Sequence, residues 1–110
     1  MRETRNVPTT MIYLDVRLTY VPGHEAEASE YERTVLAYFR EYGGEVIAAF
    51  RPAPWANGTR AADEVQLLRI ATREQIDAYM KDERRLALAP VRDRSIASTE
   101  IVMSAEMLDY

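Results

Sequence analysis

His24 is the only histidine of the chain and the first candidate for acid–base chemistry. Its imidazole has an ordinary pKa near neutrality, so it could serve as a general base at the mouth of a cleft. His24 also follows Pro22 and Gly23 and precedes Glu25 and Glu27, a pattern typical of the first turn of a helix. We favour this structural interpretation and keep His24 as a candidate catalytic residue.

Arg69 is the second candidate, because apolar residues flank it on both sides in the sequence. A charge in such surroundings needs a partner. Asp15 or Glu106 could supply that partner in a structural ion pair, which is the interpretation we favour. Alternatively, the guanidinium of Arg69 could bind the carboxylate of a ligand in a cleft, since its planar set of donors matches that group.

Four further residues are candidates for contact with a ligand: Tyr38, Trp55, Tyr79 and Met80. Trp55 is the only tryptophan, and its place in a turn-rich loop suits either the closure of a pocket or an anchor for a partner subunit. Tyr38 falls on the apolar face of a predicted helix, where a core position is the simpler interpretation. Tyr79 and Met80 could line the same cleft from a second helix.

The composition argues against several classes of function. The chain of 110 residues has no cysteine, which excludes thiolate metal ligands, and one histidine makes a histidine-based metal centre improbable. A net charge of -4 and a pI near 5.0 argue against nucleic-acid binding. No nucleotide-binding, phosphate-binding or nucleophile motif occurs. We therefore predict no metal, no cofactor and no nucleic-acid partner.

Length and polarity predict one domain, residues 11–110, that follows a polar N-terminal arm, residues 1–10. The apolar runs fall short of the ~20 residues that a membrane span requires. The arm also lacks the apolar segment of a signal peptide. We expect a protein that does not enter membranes and that is located in the cytoplasm.

Hydrophobic periodicity predicts four strands and two helices. Apolar residues alternate along residues 11–21, which indicates a strand, and they recur at helical spacing within residues 25–42, before a Gly-Gly pair. Thr72 and Gln75 match a capping box that starts the second helix. The remaining strands are predicted at residues 45–52, 63–71 and 99–108. This βαββαβ order predicts a ferredoxin-like α+β fold with a four-stranded antiparallel sheet and both helices on one face.

Pro90 interrupts the second helical segment. A proline inside a helix removes a hydrogen bond and clashes with the preceding turn, whereas it is favourable in the first turn of a helix. We therefore predict that the second helix ends near residues 81–84. A short helix then starts at Pro90 and runs to about Ala97.

The face of the sheet away from the helices is expected to be buried against another protein surface. Strands two to four carry apolar residues on both faces; in the second strand, Ile47 and Ala49 are expected to oppose Val46, Ala48 and Phe50. An open apolar face on a monomer favours aggregation. The same face of a second copy is the simplest cover, which predicts a homodimer through the sheet face.

The chain resembles the dimeric α+β barrel superfamily over about residues 11–108. The resemblance rests on the strand order, on Trp55, and on the segments EYGGEVIAAF, DEVQLLRIAT and DERRLALAPVRDRSIASTEIVM. It is greatest to small members of unknown function that are akin to antibiotic-biosynthesis-monooxygenase-like proteins. It implies a ferredoxin-like protomer whose sheet packs on that of its twin, with a cleft between sheet and helices.

The resemblance carries no agreed catalytic residues to this chain. Heme-degrading relatives use a histidine or asparagine set that has no match here, because His24 lies at the start of the first predicted helix and not in its middle. Three functions are compatible with the expected cleft. They are a cofactor-independent oxygenase or isomerase acting on a small apolar or aromatic molecule, a non-catalytic small-molecule-binding or accessory module, and a purely structural dimer whose cleft is filled by its own side chains.

Overall fold

The computed structural model describes residues 11–110, which form four strands and four helices. The strands are β1 (Ile12–Tyr20), β2 (Glu45–Phe50), β3 (Glu64–Ile70) and β4 (Ile96–Met103). The helices are α1 (Glu25–Glu41), α2 (Arg73–Met80), α3 (Glu83–Ala87) and α4 (Ala89–Ser95). The predicted polar arm, residues 1–10, lies outside the described residues.

The strands form one antiparallel sheet in the order β2-β3-β1-β4. Leu14 of β1 lies opposite Leu68 of β3 on one side and Met103 of β4 on the other, which fixes the register of the three strands. The helices pack on one face of this sheet. The predicted βαββαβ order and the ferredoxin-like α+β class are therefore confirmed. None of the helices within residues 11–110 is long and apolar enough to cross a bilayer.

The hydrophobic core lies between the sheet and α1. Alternate residues of β1 and the residues opposite them on β3 point toward the helices, where α1 contributes a stripe at helical spacing. The buried residues of this layer include Leu14, Val16, Leu18, Ala28, Tyr31, Val35, Phe39, Leu68 and Ile70. Burying each large apolar side chain stabilises the fold by roughly 1.5–3 kcal/mol, so this layer fixes the position of α1 on the sheet.

Local hydrogen bonds account for the helices of the segment after β3. The Thr72 hydroxyl accepts from the Gln75 backbone at 3.1 Å, and the Gln75 side chain accepts from the Thr72 backbone at 3.0 Å, which completes the predicted capping box. The buried Asp82 carboxylate caps α3 and also accepts from the Tyr42 hydroxyl at 2.7 Å. Pro90 lies in the first turn of α4, as predicted.

The predicted limits of β4 are wrong at both ends. The strand starts at Ile96, three residues before the predicted start, because the Ser95 carbonyl accepts from the Val21 backbone at 2.8 Å and brings the chain onto β1 immediately after α4. It ends at Met103, before the predicted Leu108. Its pairing partner is β1, and the bonds between Ser104 and Tyr13 close the ladder where β1 begins.

The predicted assignment of β2 residues to the two faces is also wrong. Val46 lies opposite Leu68, but the register shifts before Ala48, which lies opposite Leu67. One extra residue, Ile47, therefore bulges from the strand and reverses the side on which the following residues point. Ala49 consequently faces the helices with Val46, whereas Ala48 and Phe50 point to the other face.

The face of the sheet opposite the helices is exposed within the described chain and is partly apolar. Leu67, Phe50 and Val102 on this face are 36%, 48% and 66% exposed. The remaining positions include the Arg17–Asp15 pair, whose charged atoms lie 3.2 Å apart. We call these side chains, together with Ala48, Val65 and Arg69, the open face.

Candidate functional site

A cavity of about 220 Å³ lies between the sheet and the helices. Its lining is mostly apolar and includes Leu14, Val16, Val35, Phe39, Leu68 and Ile76. A cavity of about 150 Å³ is sufficient to hold benzene. The volume found here therefore accommodates a molecule of one or two fused rings.

The exposed residues of the lining indicate that the cavity opens between the edge strand β4 and the end of α2. Ile101 lies opposite Val16 and so points to the helix side, and it lines the cavity, yet it is 55% exposed. Met80, at the end of α2, also lines the cavity and is exposed. An incoming molecule would therefore contact the side chains of Ile101 and Met80 before it reaches the rest of the lining.

Polar residues from different elements interrupt the apolar lining, among them Glu32, Gln66 and Arg85. Gln66 of β3 is 1% exposed, and its amide nitrogen donates to Glu32 of α1 at 2.8 Å and to Glu64 at 2.9 Å. Glu64 accepts a short hydrogen bond from the Tyr20 hydroxyl. One buried amide therefore fixes the position of two carboxylates, one of which, Glu32, borders the cavity.

Glu32 is the ionisable group of the lining that titrates nearest neutrality among the described residues with resolved shifts. Burial raises the pKa of Glu32 to about 7, and the nearby Glu64 carboxylate adds to the rise. The hydrogen bond from Gln66 and the charge of Arg85 oppose it. A carboxyl with such a pKa can both accept and release protons at neutral pH.

Arg85 of α3 also lies in the lining. Its Nη1 donates to the Met80 carbonyl at 3.2 Å, and its guanidinium carbon lies 5.1 Å from the centre of the Tyr79 ring. Its buried Nε has no hydrogen-bond partner within residues 11–110. An unpaired buried donor is energetically costly, so this atom marks a point where an acceptor on a ligand would be stabilised.

A second groove, of about 260 Å³, lies on the other side of Glu32. It is lined by α1 and by the residues around β2, among them Ser29, Arg33 and Arg51. Glu32 borders both this polar groove and the apolar cavity. Glu32, together with Leu36, therefore lies between the cavity and this groove.

Tyr79 and Met80, two of the residues predicted to contact a ligand, line the cavity. The Tyr79 ring packs edge-on against Phe39, with 5.2 Å between the ring centres. Burial raises the pKa of Tyr79 to about 12. Tyr79 therefore stays protonated at neutral pH and can donate a hydrogen bond, but it does not act as a base there.

Tyr38 and Trp55, the other two predicted contacts, are not part of the cavity lining. The Tyr38 ring packs beneath the guanidinium of Arg84, 4.0 Å from the ring centre. Trp55 is exposed in the loop between β2 and β3, where its backbone nitrogen donates to the Thr59 carbonyl at 2.6 Å. The structure therefore separates these two aromatic residues from Tyr79 and Met80.

His24 and Arg69, the predicted catalytic candidates, lie away from the cavity lining. His24 precedes the first turn of α1 and its Nδ1 lies 3.2 Å from Glu27. Arg69 is on the open face, and its ion-pair partner is Glu45 of the neighbouring strand, not Asp15 or Glu106. The two sequence candidates for catalysis therefore contact Glu27 and Glu45, neither of which lines the cavity.

From the sequence, we did not identify Glu32, Gln66 and Arg85 as candidate site residues. A signal for Gln66 was present, since it shares the alternation of Leu68 and Ile70 and so occupies a core-facing position of β3. Glu32 and Arg85 stand in charge-rich helical segments that are typical of a solvated surface. Only the packing of α1 and α3 on the sheet shows that both reach the cavity. Within residues 11–110, no group of three His, Cys, Asp or Glu side chains is arranged to hold a metal ion.

No protein-family model and no curated protein matches the sequence. Solved structures match it over most of its length. A protein of unknown function from Rhodopseudomonas palustris has a TM-score of 0.75 at 13% identity, with 99% of this chain and 96% of that chain covered. SnoaB, a cofactor-independent oxygenase from Streptomyces nogalater, has a TM-score of 0.65 at 12% identity, with 91% and 96% covered. The chain shares their fold.

A third structure extends the comparison to another group of proteins. A nipsnap family protein of unknown function from Agrobacterium tumefaciens has a TM-score of 0.65 at 15% identity, with 87% of each chain covered. At such identities the likeness establishes the fold alone. The expected resemblance to dimeric α+β barrel and monooxygenase-like proteins is confirmed at that level.

Proposed function

We propose that the protein is a homodimer that binds a small apolar or aromatic molecule in the sheet–helix cavity and acts on it as a cofactor-independent oxygenase or isomerase. The observation that carries the proposal is the cavity, an apolar space of about 220 Å³ with an ionisable carboxyl, Glu32, in its wall. An apolar pocket with a few convergent polar groups is the usual form of a small-molecule site. The cytoplasmic location expected from the sequence belongs to this proposal.

The open face supports the dimer. Phe50, Leu67 and Val102 are exposed there on three different strands, so the apolar surface extends across the sheet. A second copy of the chain is the occupant that fits this face. A twofold axis brings the same face against itself, so that Asp15 of one chain can lie near Arg17 of the other, and two sheets pack well at about 10 Å.

Two features support the class of reaction. SnoaB, which has the same fold, is a cofactor-independent oxygenase. An oxygenase or isomerase without a cofactor must first remove a proton from the substrate, since the electron pair that is left then reacts with dioxygen or accepts a proton at another atom. The cavity wall holds a carboxyl that titrates near neutrality, which suits this first step.

A ligand screen tests the proposal. We expect members of a panel of one- and two-ring aromatic compounds to raise the melting temperature of the wild type. Ile101→Trp places a large ring at the exposed opening of the cavity and should abolish the shifts. Leu86→Trp, at an exposed position of α3 that is not part of the lining, is the matched control and should keep them.

The outcomes of the screen separate the parts of the proposal. Shifts that are absent from the wild type, or equal in the wild type and Ile101→Trp, would contradict binding in the cavity. Compounds that bind should then be incubated with the protein in air, with oxygen consumption and product mass measured. Binding without oxygen uptake or an isomerised product would contradict the enzyme and leave a non-catalytic binding module.

A further inference from the structure

Resting on the proposed function, we infer a substrate class and the roles of two residues that the sequence did not identify. The substrate is a small, neutral, enolisable ketone of one or two rings. Glu32 is the base that removes the proton beside its carbonyl group. Arg85 is the residue whose Nε stabilises the enolate oxygen that forms.

The unpaired Nε–H of Arg85 is the reason for assigning a carbonyl oxygen to the substrate. Its Nε is buried and has no partner within the described chain, while a second nitrogen of the same guanidinium is held by the Met80 carbonyl at 3.2 Å. The side chain is therefore anchored at one point, and its buried Nε–H is left without an acceptor. A carbonyl oxygen in the cavity would satisfy this donor, and the bond strengthens as negative charge develops on that oxygen.

The position of Glu32 suits proton transfer. Gln66 holds its carboxyl at 2.8 Å, so the base has a fixed orientation in the cavity wall. The same carboxyl borders the polar groove lined by Arg33 and Arg51. A proton taken from a substrate in the cavity can therefore leave on the other side, without passing the bound molecule.

The charged and titratable groups around Glu32 set its proton affinity. Glu64 of β3 raises the affinity, whereas Arg85 of α3 lowers it. Tyr31 of α1 and Tyr79 of α2 are also in the lining, and burial raises the pKa of both. Arg92 of α4 adds a second positive charge to the same lining. Arg33 and Arg51 lie across the second groove. Glu32 is therefore ionised in a substantial fraction of molecules at neutral pH, yet remains a stronger base than an exposed carboxylate.

The chemical step is a proton transfer that needs no further reactant. The Glu32 carboxylate takes the proton from the carbon beside the carbonyl group, and the carbon–hydrogen bond breaks. Its electron pair forms the carbon–carbon double bond of the enolate, while the carbonyl electron pair moves onto the oxygen that faces Arg85. The proton returned to carbon comes from Glu32, which exchanges with solvent through the second groove.

A ketone suits the arrangement of the two groups. Glu32 and Arg85 come from different helices and make no hydrogen bond to each other among the described contacts. A ketone presents its acidic hydrogen and its oxygen on different atoms, so each protein group has its own target. The apolar walls favour a neutral molecule, because a ligand that arrives as an anion must lose its hydration in the cavity.

Deuterium exchange tests the inference with the protein as it exists. The wild-type protein is mixed in D₂O with small aromatic ketones of one and two rings, including 2-tetralone, and exchange beside the carbonyl is followed by NMR. Binding of each ketone is measured in a separate experiment, by its effect on the melting temperature. We expect wild-type protein to accelerate exchange, with a rate that rises as pH increases through about 7, where Glu32 ionises.

Matched variants assign the two roles. Glu32→Gln should reduce the exchange rate at least tenfold and remove the rise near pH 7, with binding retained. Glu30→Gln, which changes an exposed carboxyl on the same helix, should have no effect. Arg85→Met keeps much of the apolar length of the side chain and should lower the exchange rate while neutral aromatic hydrocarbons still bind.

The results distinguish this inference from the proposed function. If no ketone of the series binds while compounds of the aromatic panel do, the substrate class is wrong and cavity binding stands. If neither the ketones nor the panel bind to the wild type, both the proposed function and the inference are contradicted. If ketones bind without accelerated exchange, or if exchange persists in Glu32→Gln, the assigned base is wrong and cavity binding stands. If Arg85→Met exchanges as fast as the wild type, the role of Arg85 is wrong.

Discussion

At Glu32, burial in a largely apolar wall raises the pKa to about 7, while Gln66 and Arg85 favour the charged form. The folded protein therefore holds a proton that the unfolded chain, with an ordinary carboxyl pKa, has already lost. The contribution of Glu32 to the free energy of unfolding is therefore fully present below about pH 4.5. It decreases as the pH rises to about 7. The effect follows from the same burial that makes Glu32 a base.

Glu32→Gln should remove this pH dependence. The amide has no charge to desolvate, so its free energy of unfolding should exceed that of the wild type by an amount that grows from pH 4.5 to 7, up to about 3 kcal/mol. Urea unfolding of both proteins across this range measures the difference. Glu30→Gln is the control, and a difference between wild type and Glu32→Gln that does not change with pH would contradict the pKa of Glu32.

At the scale of single residues, prediction from the sequence was limited because hydrophobic periodicity identifies apolar core positions but not buried polar ones. Alternation along β1 placed Leu14, Val16 and Leu18 correctly in the core. The same method placed no polar residue in the cavity wall, because a glutamate in a helix is interpreted as exposed unless its neighbours in space are known. The position of Gln66 on the core-facing side of β3 could, by contrast, be deduced from alternation.

At the scale of elements, Gly44 joins α1 to β2 where the chain passes close to the core. A Cβ atom at this position would overlap the Phe39 ring, so glycine is required for close approach and not for an unusual backbone angle. This contact fixes where β2 begins relative to the end of α1. The Gly-Gly pair was predicted as a helix end from sequence, but the contact with Phe39 was not.

Gly44→Ala should destabilise the protein by roughly 1–3 kcal/mol, because the added methyl group must displace a buried ring. Chemical denaturation measures the loss. In a Phe39→Leu background the smaller side chain removes most of the overlap, so the same substitution should cost clearly less. Equal costs in the two backgrounds would show that the Phe39 ring is not the cause.

Prediction of the elements succeeded where local signals were strong. The capping box at Thr72 and the proline at position 90 each fix a helix start through local geometry. The limits of β4 and the bulge at Ile47 depend on the partner strands and on where their ladders begin. Such information is not present in any single segment of the sequence.

At the scale of the whole molecule, the open face determines the proposed assembly. It carries apolar side chains on three strands, with Leu67 on β3 in the interior of the sheet. Burial of Leu67 against a second copy is favourable. A charged side chain there would lose its hydration without gaining an oppositely charged partner. The dimer therefore depends on this position more than on exposed apolar residues elsewhere.

Leu67→Glu should convert the proposed dimer into a monomer at micromolar concentration. Leu86→Glu, which places the same charge at an exposed position of α3, should leave the dimer intact. Sedimentation velocity gives the mass of each variant, and circular dichroism verifies that each is folded. A wild-type protein that sediments as a 12.6 kDa monomer, or a Leu67→Glu variant that remains dimeric, would contradict the proposed interface.

Methyl NMR during titration with a compound identified by the ligand screen tests the central claim most directly. The claim is that the space between sheet and helices is a binding site. Binding should shift the methyl signals of cavity residues such as Val35, Ile76 and Ile101, and should leave Leu67 and Val102 of the open face unchanged. Shifts confined to the open face, or saturable binding without any shift at the cavity methyl groups, would contradict the account.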